Sequence, residues 1–176
     1  KNGTSFEYRA FQKPVQKKNG TLVYGYDWCG GCRRWATTGK LATIKQHYRN
    51  KYNNDIIIEY VGLAADEIGR IEKFRRIRSQ SIKIYPLAEW GMSEQACLDY
   101  CYSFGWNWQE NGHELYDILD RVSCWCCTNK NQKEIQNIIK YLPEYWALIK
   151  EYEMRCGIPY KGKGCKFYEK AILAEQ

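Results

Sequence analysis

The 176-residue sequence predicts an α/β chain: a partial parallel-sheet half over residues 1–90, a helical half over residues 91–176, and a four-cysteine metal site that ties both into one compact unit. Three observations predict this. Residues 56–63 form a nearly continuous run of apolar and β-branched side chains, the pattern of a strand buried on both faces. From Ser93 onward the apolar residues recur at helical spacing. Two Cys-x-x-Cys elements, Cys29-Gly-Gly-Cys32 and Cys124-Trp-Cys-Cys127, lie one in each half.

Taken in order, residues 1–20 are polar and lysine-rich, with Asn-Gly pairs at Asn2-Gly3 and Asn19-Gly20, so they read as a surface loop or hairpin. Leu41, Ile44 and Tyr48 give helical spacing over residues 40–48, and the polar stretch 49–55 ends it. The strand at 56–63 finishes at Gly62 and the charged pair Asp66-Glu67, and the carboxyl end of such a strand is where an open parallel sheet places ligands. After the basic residues 70–78, the short run 82–87 contains Pro86 and reads as an edge strand or extended connector. Ser93 then caps a helix reaching Phe104, with Gly105 to end it, and Cys97 and Cys101 share one of its faces. Asn131 and Glu134 match a capping box, followed by the stripe Ile135, Ile138, Ile139 and Leu142. Pro143 suits the first turn of the next helix, and Gly157 closes it.

A net charge of +7, from 27 basic and 20 acidic residues, favours an anionic partner such as a phosphorylated small molecule or a nucleic acid. No run nears the roughly 20 apolar residues of a membrane span, and no charged-then-apolar leader opens the chain. The expectation is therefore a soluble chain without membrane association or export signal, and a start at Lys1 rather than Met fits a fragment or processed chain. Nine cysteines, several two or three positions apart, point to metal ligands in a reducing compartment, hence a cytoplasmic protein. With His47 and His113 as the only histidines and no recognisable nucleophile motif, the sequence fits a hydrolase triad poorly.

Two intervening residues let a tight turn aim both sulfurs of a Cys-x-x-Cys element at one ion, and Gly30 and Gly31 permit the backbone angles such a turn needs. Four thiolates from Cys29, Cys32, Cys124 and Cys127 suit zinc or a 4Fe-4S cluster, and Cys126 is an alternate ligand for either neighbour. The competing reading is that these are reduced, buried thiols packed as small hydrophobes. Cys97 and Cys101 read as helix core, and Cys156 and Cys165 are isolated. Trp106 and Trp108 beside Tyr100 and Tyr102, with Arg70, Lys73, Arg75, Arg76 and Arg78 near in sequence, have the makings of a stacking platform for a single strand or tRNA. No RNA-module signature accompanies them, so the expectation is that the aromatics fill the core and the arginines form a wet helix face.

Four segments carry a resemblance. Cys32-Arg-Arg-Trp-Ala-Thr-Thr-Gly-Lys40, Val61-Gly-Leu-Ala-Ala-Asp-Glu-Ile-Gly-Arg70, Tyr85-Pro-Leu-Ala-Glu-Trp-Gly-Met-Ser93 and Asp120-Arg-Val-Ser-Cys-Trp-Cys-Cys127 resemble, in order and over residues 24–146, segments of the phosphoadenosine phosphosulfate reductase family. The resemblance implies the C-terminal portion of a Rossmann-like nucleotide-binding sheet related to the ATP pyrophosphatases, serving sulfur metabolism or sulfur transfer. It implies an adenine nucleotide, ATP or adenylyl sulfate with Mg²⁺. Arg34, Lys40 and Arg70 would contact phosphate or sulfate oxygens, with Asp66 and Glu67 shaping the site or holding the Mg²⁺.

The family's Ser-Gly-Gly-x-Asp-Ser phosphate loop is absent from the sequence, so the resemblance implies that a missing N-terminal segment or a partner subunit supplies it, and that this chain alone is inactive. Ala36 stands where the family has a cysteine, and residues 166–176 carry no cysteine nucleophile. The related adenylylsulfate reductases are similar in holding a four-iron cluster with an early cysteine pair and a later Cys-x-x-Cys, although their first pair is adjacent whereas Cys29 and Cys32 are separated. The alternative is a non-catalytic, metal-stabilised module that binds tRNA, DNA or a protein partner.

Overall fold

The structure is a computed structural model that describes residues 5–30, 35–52, 55–76 and 81–173. A π-helical turn, Tyr8–Gln12, leads into β1 (Pro14–Gln16) and β2 (Leu22–Tyr24), then α1 (Trp35–Lys51), β3 (Ile58–Tyr60), α2 (Ile68–Arg76), β4 (Ile82–Ile84), α3 (Pro86–Glu89) and α4 (Glu94–Ser103). There follow β5 (Gln109–Glu110), β6 (His113–Glu114), α5 (Leu115–Ile118), α6 (Gln132–Tyr141), α7 (Pro143–Cys156), a 3₁₀ turn at Tyr160–Gly162 and α8 (Cys165–Leu173). The chain is mixed α/β and more than half helical, with its strands in two-residue or three-residue pairs. It divides into two compact units, Lys1–Ala42 with Trp108–Gln176, and Thr43–Asn107, so the division falls elsewhere than the expected one at residue 90.

In the first unit, β1 and β2 form the expected hairpin, turned at Gly20 in the left-handed region. The core lies on α6 and α7. Ile135, Ile138 and Leu142 of the predicted stripe are buried, and Trp146, Ile149 and Tyr152 of α7 meet them. Helix α6 starts with the predicted capping box: the Asn131 side chain accepts the Glu134 N–H at 2.8 Å, and Glu134 Oε2 accepts the Asn131 N–H at 2.8 Å. Pro143 opens α7, and Gly157, with φ of 66°, ends it. Glu153, near that end, accepts the N–H groups of Tyr160 (2.7 Å) and Cys165 (2.9 Å), which fixes the 3₁₀ turn and the start of α8. No sequence signal had marked α8.

In the second unit, β3 and β4 pair in parallel, with Ile58 opposite Ile82 and Tyr60 opposite Ile84. The connection through α2 is a short β-α-β step. Ser93 caps α4 by accepting the Ala96 N–H at 3.1 Å, as its position predicts. The strand at 56–63 is corrected in two respects: it is shorter than expected, and it is exposed on one face and half-buried on the other. Leu63, Ile71 and Tyr85 make a small core on that side, while Ile58, Tyr60 and Ile82 are 53%, 72% and 54% exposed. A strand pair with one helical layer buries one face; burial on both requires a layer on each side. Among the described residues, no helix is long and apolar enough to cross a membrane.

Candidate metal centre

The first Cys-x-x-Cys element is positioned by its aromatic neighbours. Trp28 is buried between the rings of Tyr152 (centroids 4.4 Å apart) and Tyr160 (4.9 Å), and its indole N–H donates to the carbonyl of Ile158 at 2.7 Å. Tyr152 donates its hydroxyl to the carbonyl of Asp27 at 2.8 Å. The Asp27 carbonyl and the Trp28 indole therefore hold the backbone leading into Cys29 against α7 and the turn that follows it.

The second element is held from the same side. Tyr160 donates its hydroxyl to the carbonyl of Cys127 at 2.9 Å, and the N–H of Cys127 donates to the carbonyl of Cys124 at 2.9 Å, closing the turn that contains both sulfurs. Buried phenols and indoles need such partners: the two tyrosine hydroxyls find them on the backbones of the cysteine segments, and the Trp28 indole on the Ile158 carbonyl.

Between them, Cys29 and Cys127 form an isolated parallel β-bridge, and the Thr128 N–H donates to the Cys29 carbonyl at 3.2 Å. Gly30 makes this approach possible, because a Cβ there would lie 2.0 Å from Thr128 Oγ1 and 3.0 Å from its backbone nitrogen. The structure thus brings Cys29 to the 124–127 turn across nearly a hundred residues of sequence. Cys32, Gly31 and Arg34 lie outside the described residues.

Burial and exposure separate the cysteines of the second turn. Cys124 is exposed and Cys127 half-buried, whereas Cys126 is buried in the core. Desolvation, then the charges of Cys124, Cys29 and Cys127, push the Cys126 thiol up to about 12. A thiol in that environment packs as a small hydrophobe, and Cys124 and Cys127 are the more accessible sulfurs of the turn. Lys130, three residues on, is a buried cation whose ammonium donates to Ser123 Oγ at 2.8 Å.

Thiolates are the donor type that zinc and iron–sulfur clusters take, and the structure places one cysteine of the first element, Cys29, in backbone contact with the turn that carries Cys124 and Cys127. Among the described residues, no group of three or more His, Cys, Asp or Glu side chains is arranged to hold a metal ion, and the fourth expected ligand, Cys32, is outside them.

In the second unit the carboxylates at the strand end are engaged in local bonds. Asp66 accepts the Glu94 N–H with both oxygens, at 3.1 and 3.2 Å, so it caps α4. Glu67 accepts the Ala64 N–H at 3.3 Å and pairs with the Arg70 guanidinium. The three residues thus sit together around the turn from β3 into α2. Lys40 is exposed on α1.

The aromatics of α4 correct the expectation of core filling. Tyr100, Phe104 and Trp106 are 56%, 59% and 62% exposed and form a contiguous row, with ring centroids 5.0 and 5.8 Å apart. Trp108, by contrast, lies in the first unit, edge-on to Tyr116. Sequence reasoning missed Trp28, Tyr152 and Tyr160 as the residues that fasten the cysteine turns, and the one available signal was an indole directly preceding Cys29. No protein-family model, curated protein or solved structure matches this chain.

Proposed function

We propose that the chain is the metal-bearing C-terminal portion of a phosphoadenosine phosphosulfate reductase-like protein, with Cys29, Cys32, Cys124 and Cys127 holding zinc, or alternatively a 4Fe-4S cluster. The observation that carries this reading is the bridge between Cys29 and Cys127. Zinc there would act as a structural cross-link, and a cluster would add the capacity for electron or sulfur transfer. This chain's own contribution is to preset the two turns: Trp28, Tyr152 and Tyr160 hold the backbone, and Gly30 lets the turns meet.

The nucleotide part of the reading rests on the parallel β3–β4 pair and the charged turn after β3. ATP or adenylyl sulfate, with Mg²⁺, would lie at that strand end, with Asp66 and Glu67 beside it and Arg70 as the cation of the same turn; Arg34 and Lys40 enter this reading only through the sequence resemblance. The exposed face of Ile58, Tyr60 and Ile82 supports a further layer supplied by an N-terminal segment or partner subunit, which would also bring the phosphate loop.

Metal analysis combined with an absorption spectrum tests the reading. A colourless protein with bound zinc supports the structural site, a broad band near roughly 400 nm supports the cluster, and a metal-free protein refutes both.

A second reading is favoured by the exposed row of Tyr100, Phe104 and Trp106, together with the exposed cations Arg70, Lys73, Arg75 and Arg76 in the same unit. Those features suit a single-stranded nucleic acid, tRNA included. Titration with an RNA oligonucleotide at rising salt separates the two. Binding that weakens steeply with salt and is lost in Trp106→Ala supports the second reading, and ATP binding lost in Arg70→Ala supports the first.

A further inference from the structure

We infer that the cavity between α5, the cysteine-bearing loop and α6 binds a small organic monoanion with an apolar body, its anionic group seated on the ammonium of Lys130. The cavity measures about 250 Å³. Interiors close-pack, and a cavity of about 150 Å³ already accommodates benzene. This one has room for a ring and a short substituent.

Its walls divide the ligand into two parts. Leu115, Leu119, Ile138 and Leu142 offer aliphatic surface for the body. Lys130 and Ser123 offer the polar end: Lys130 is only 3% exposed, and its ammonium donates to Ser123 Oγ at 2.8 Å. An ammonium has three N–H donors, so two remain for a ligand beyond the bond to Ser123. Among the described residues no carboxylate lies within ion-pair distance of Lys130. Its anionic neighbours, Cys127, Glu134 and Cys124, act on it without a direct carboxylate ion pair, and the anionic group of a ligand would supply that direct partner.

The remaining polar wall limits the charge. Glu110 lines the cavity and accepts the hydroxyl of Tyr145, so a carboxylate already stands there and disfavours a dianion. Burial draws the Lys130 ammonium below the ordinary lysine range, with Cys127, Glu134 and Cys124 acting in the other direction. The cavity lies within the first unit and shares the 123–127 loop with the cysteine turn, while its probes report on the Lys130 cavity whether or not a metal is bound.

Benzoate and benzamide share a shape and differ in charge, which makes them the probes. With the full chain labelled at isoleucine and leucine methyls, benzoate should shift the Ile138 and Leu142 resonances saturably and bind about tenfold or more tighter than benzamide, the margin of a charge-assisted hydrogen bond. Lys130→Met should abolish that margin, and Leu119→Phe, which fills the cavity, should weaken both probes. Terephthalate, a dianion, should bind less well than benzoate. The inference is overturned if benzoate gives no saturable shift at these methyls, or if benzoate and benzamide bind alike to the unaltered protein. A margin that survives in Lys130→Met overturns it equally. The comparison on the unaltered protein decides the matter even if the lysine variant fails to fold.

Discussion

At the residue scale, the site depends on small groups whose replacement is costly. Gly30→Ala places a methyl where Thr128 Oγ1 and the Thr128 backbone nitrogen stand. The hydroxyl can rotate away but the backbone cannot, so a loss of about 1–3 kcal/mol is expected in chemical denaturation. Thr128→Ala in the same chain should recover only part of it. Glu169 gives a prediction in pH. Trp146 donates its indole N–H to Glu169 at 2.9 Å and Lys150 pairs with it at 3.1 Å, and these contacts hold its carboxyl below the ordinary carboxylate value. A carboxyl whose pKa is depressed by folding contributes stability above its unfolded value and loses it as pH falls through the folded one. Glu169→Gln should therefore narrow the stability gap between neutral pH and acid below the usual carboxylate range, measured by denaturant midpoints. A gap unchanged from the parent would show that Glu169 carries none of it.

At the scale of elements, the sequence was most legible where a local rule decides the outcome. The Asn131–Glu134 box, the Ser93 cap, Pro143 at a helix start, Gly157 at a helix end and the Asn19-Gly20 turn all stand where their chemistry puts them. Reading was poorer where the outcome depends on what lies across space. The run at 56–63 has the composition of a fully buried strand, yet its burial is set by the number of layers around it, which no local pattern encodes. Aromatic residues posed the same difficulty: Tyr152 and Trp106 look alike as sequence, and only the fold puts one over Asp27 and the other in solvent. The caps also permit a test of the two units. Asn131→Ala and Ser93→Ala should each cost about 1 kcal/mol. Hydrogen exchange should show the first loosening α6 and α7 and the second loosening α4 alone, whereas a uniform loss of protection in both variants would mean that the units unfold as one.

At the scale of the whole molecule, the central feature is a closure across the sequence. Cys29 and Cys127 meet although nearly a hundred residues separate them, and an ion shared by both turns would constrain that long segment in the unfolded chain as well as the folded one. The Cys-x-x-Cys spacing was visible in the sequence, and of the pairing of the two elements expected from it the described residues show the Cys29–Cys127 bridge. Hidden from it was the framework of Trp28, Tyr152 and Tyr160 that brings them together, because each of those bonds joins residues 33 to 130 positions apart. Tyr160→Phe keeps the ring and removes the hydroxyl that holds the Cys127 carbonyl. It should lower thermal stability by a few degrees and, where metal is bound, speed its transfer to a chelator.

The most direct measurement is metal content per chain in the parent protein and in Cys29→Ser, Cys127→Ser and Cys126→Ser, by elemental analysis of protein purified without added metal. The account predicts bound zinc or iron in the parent, its loss in Cys29→Ser and Cys127→Ser, and its retention in Cys126→Ser. A parent chain devoid of metal, or metal that survives loss of Cys29 and Cys127, would contradict it.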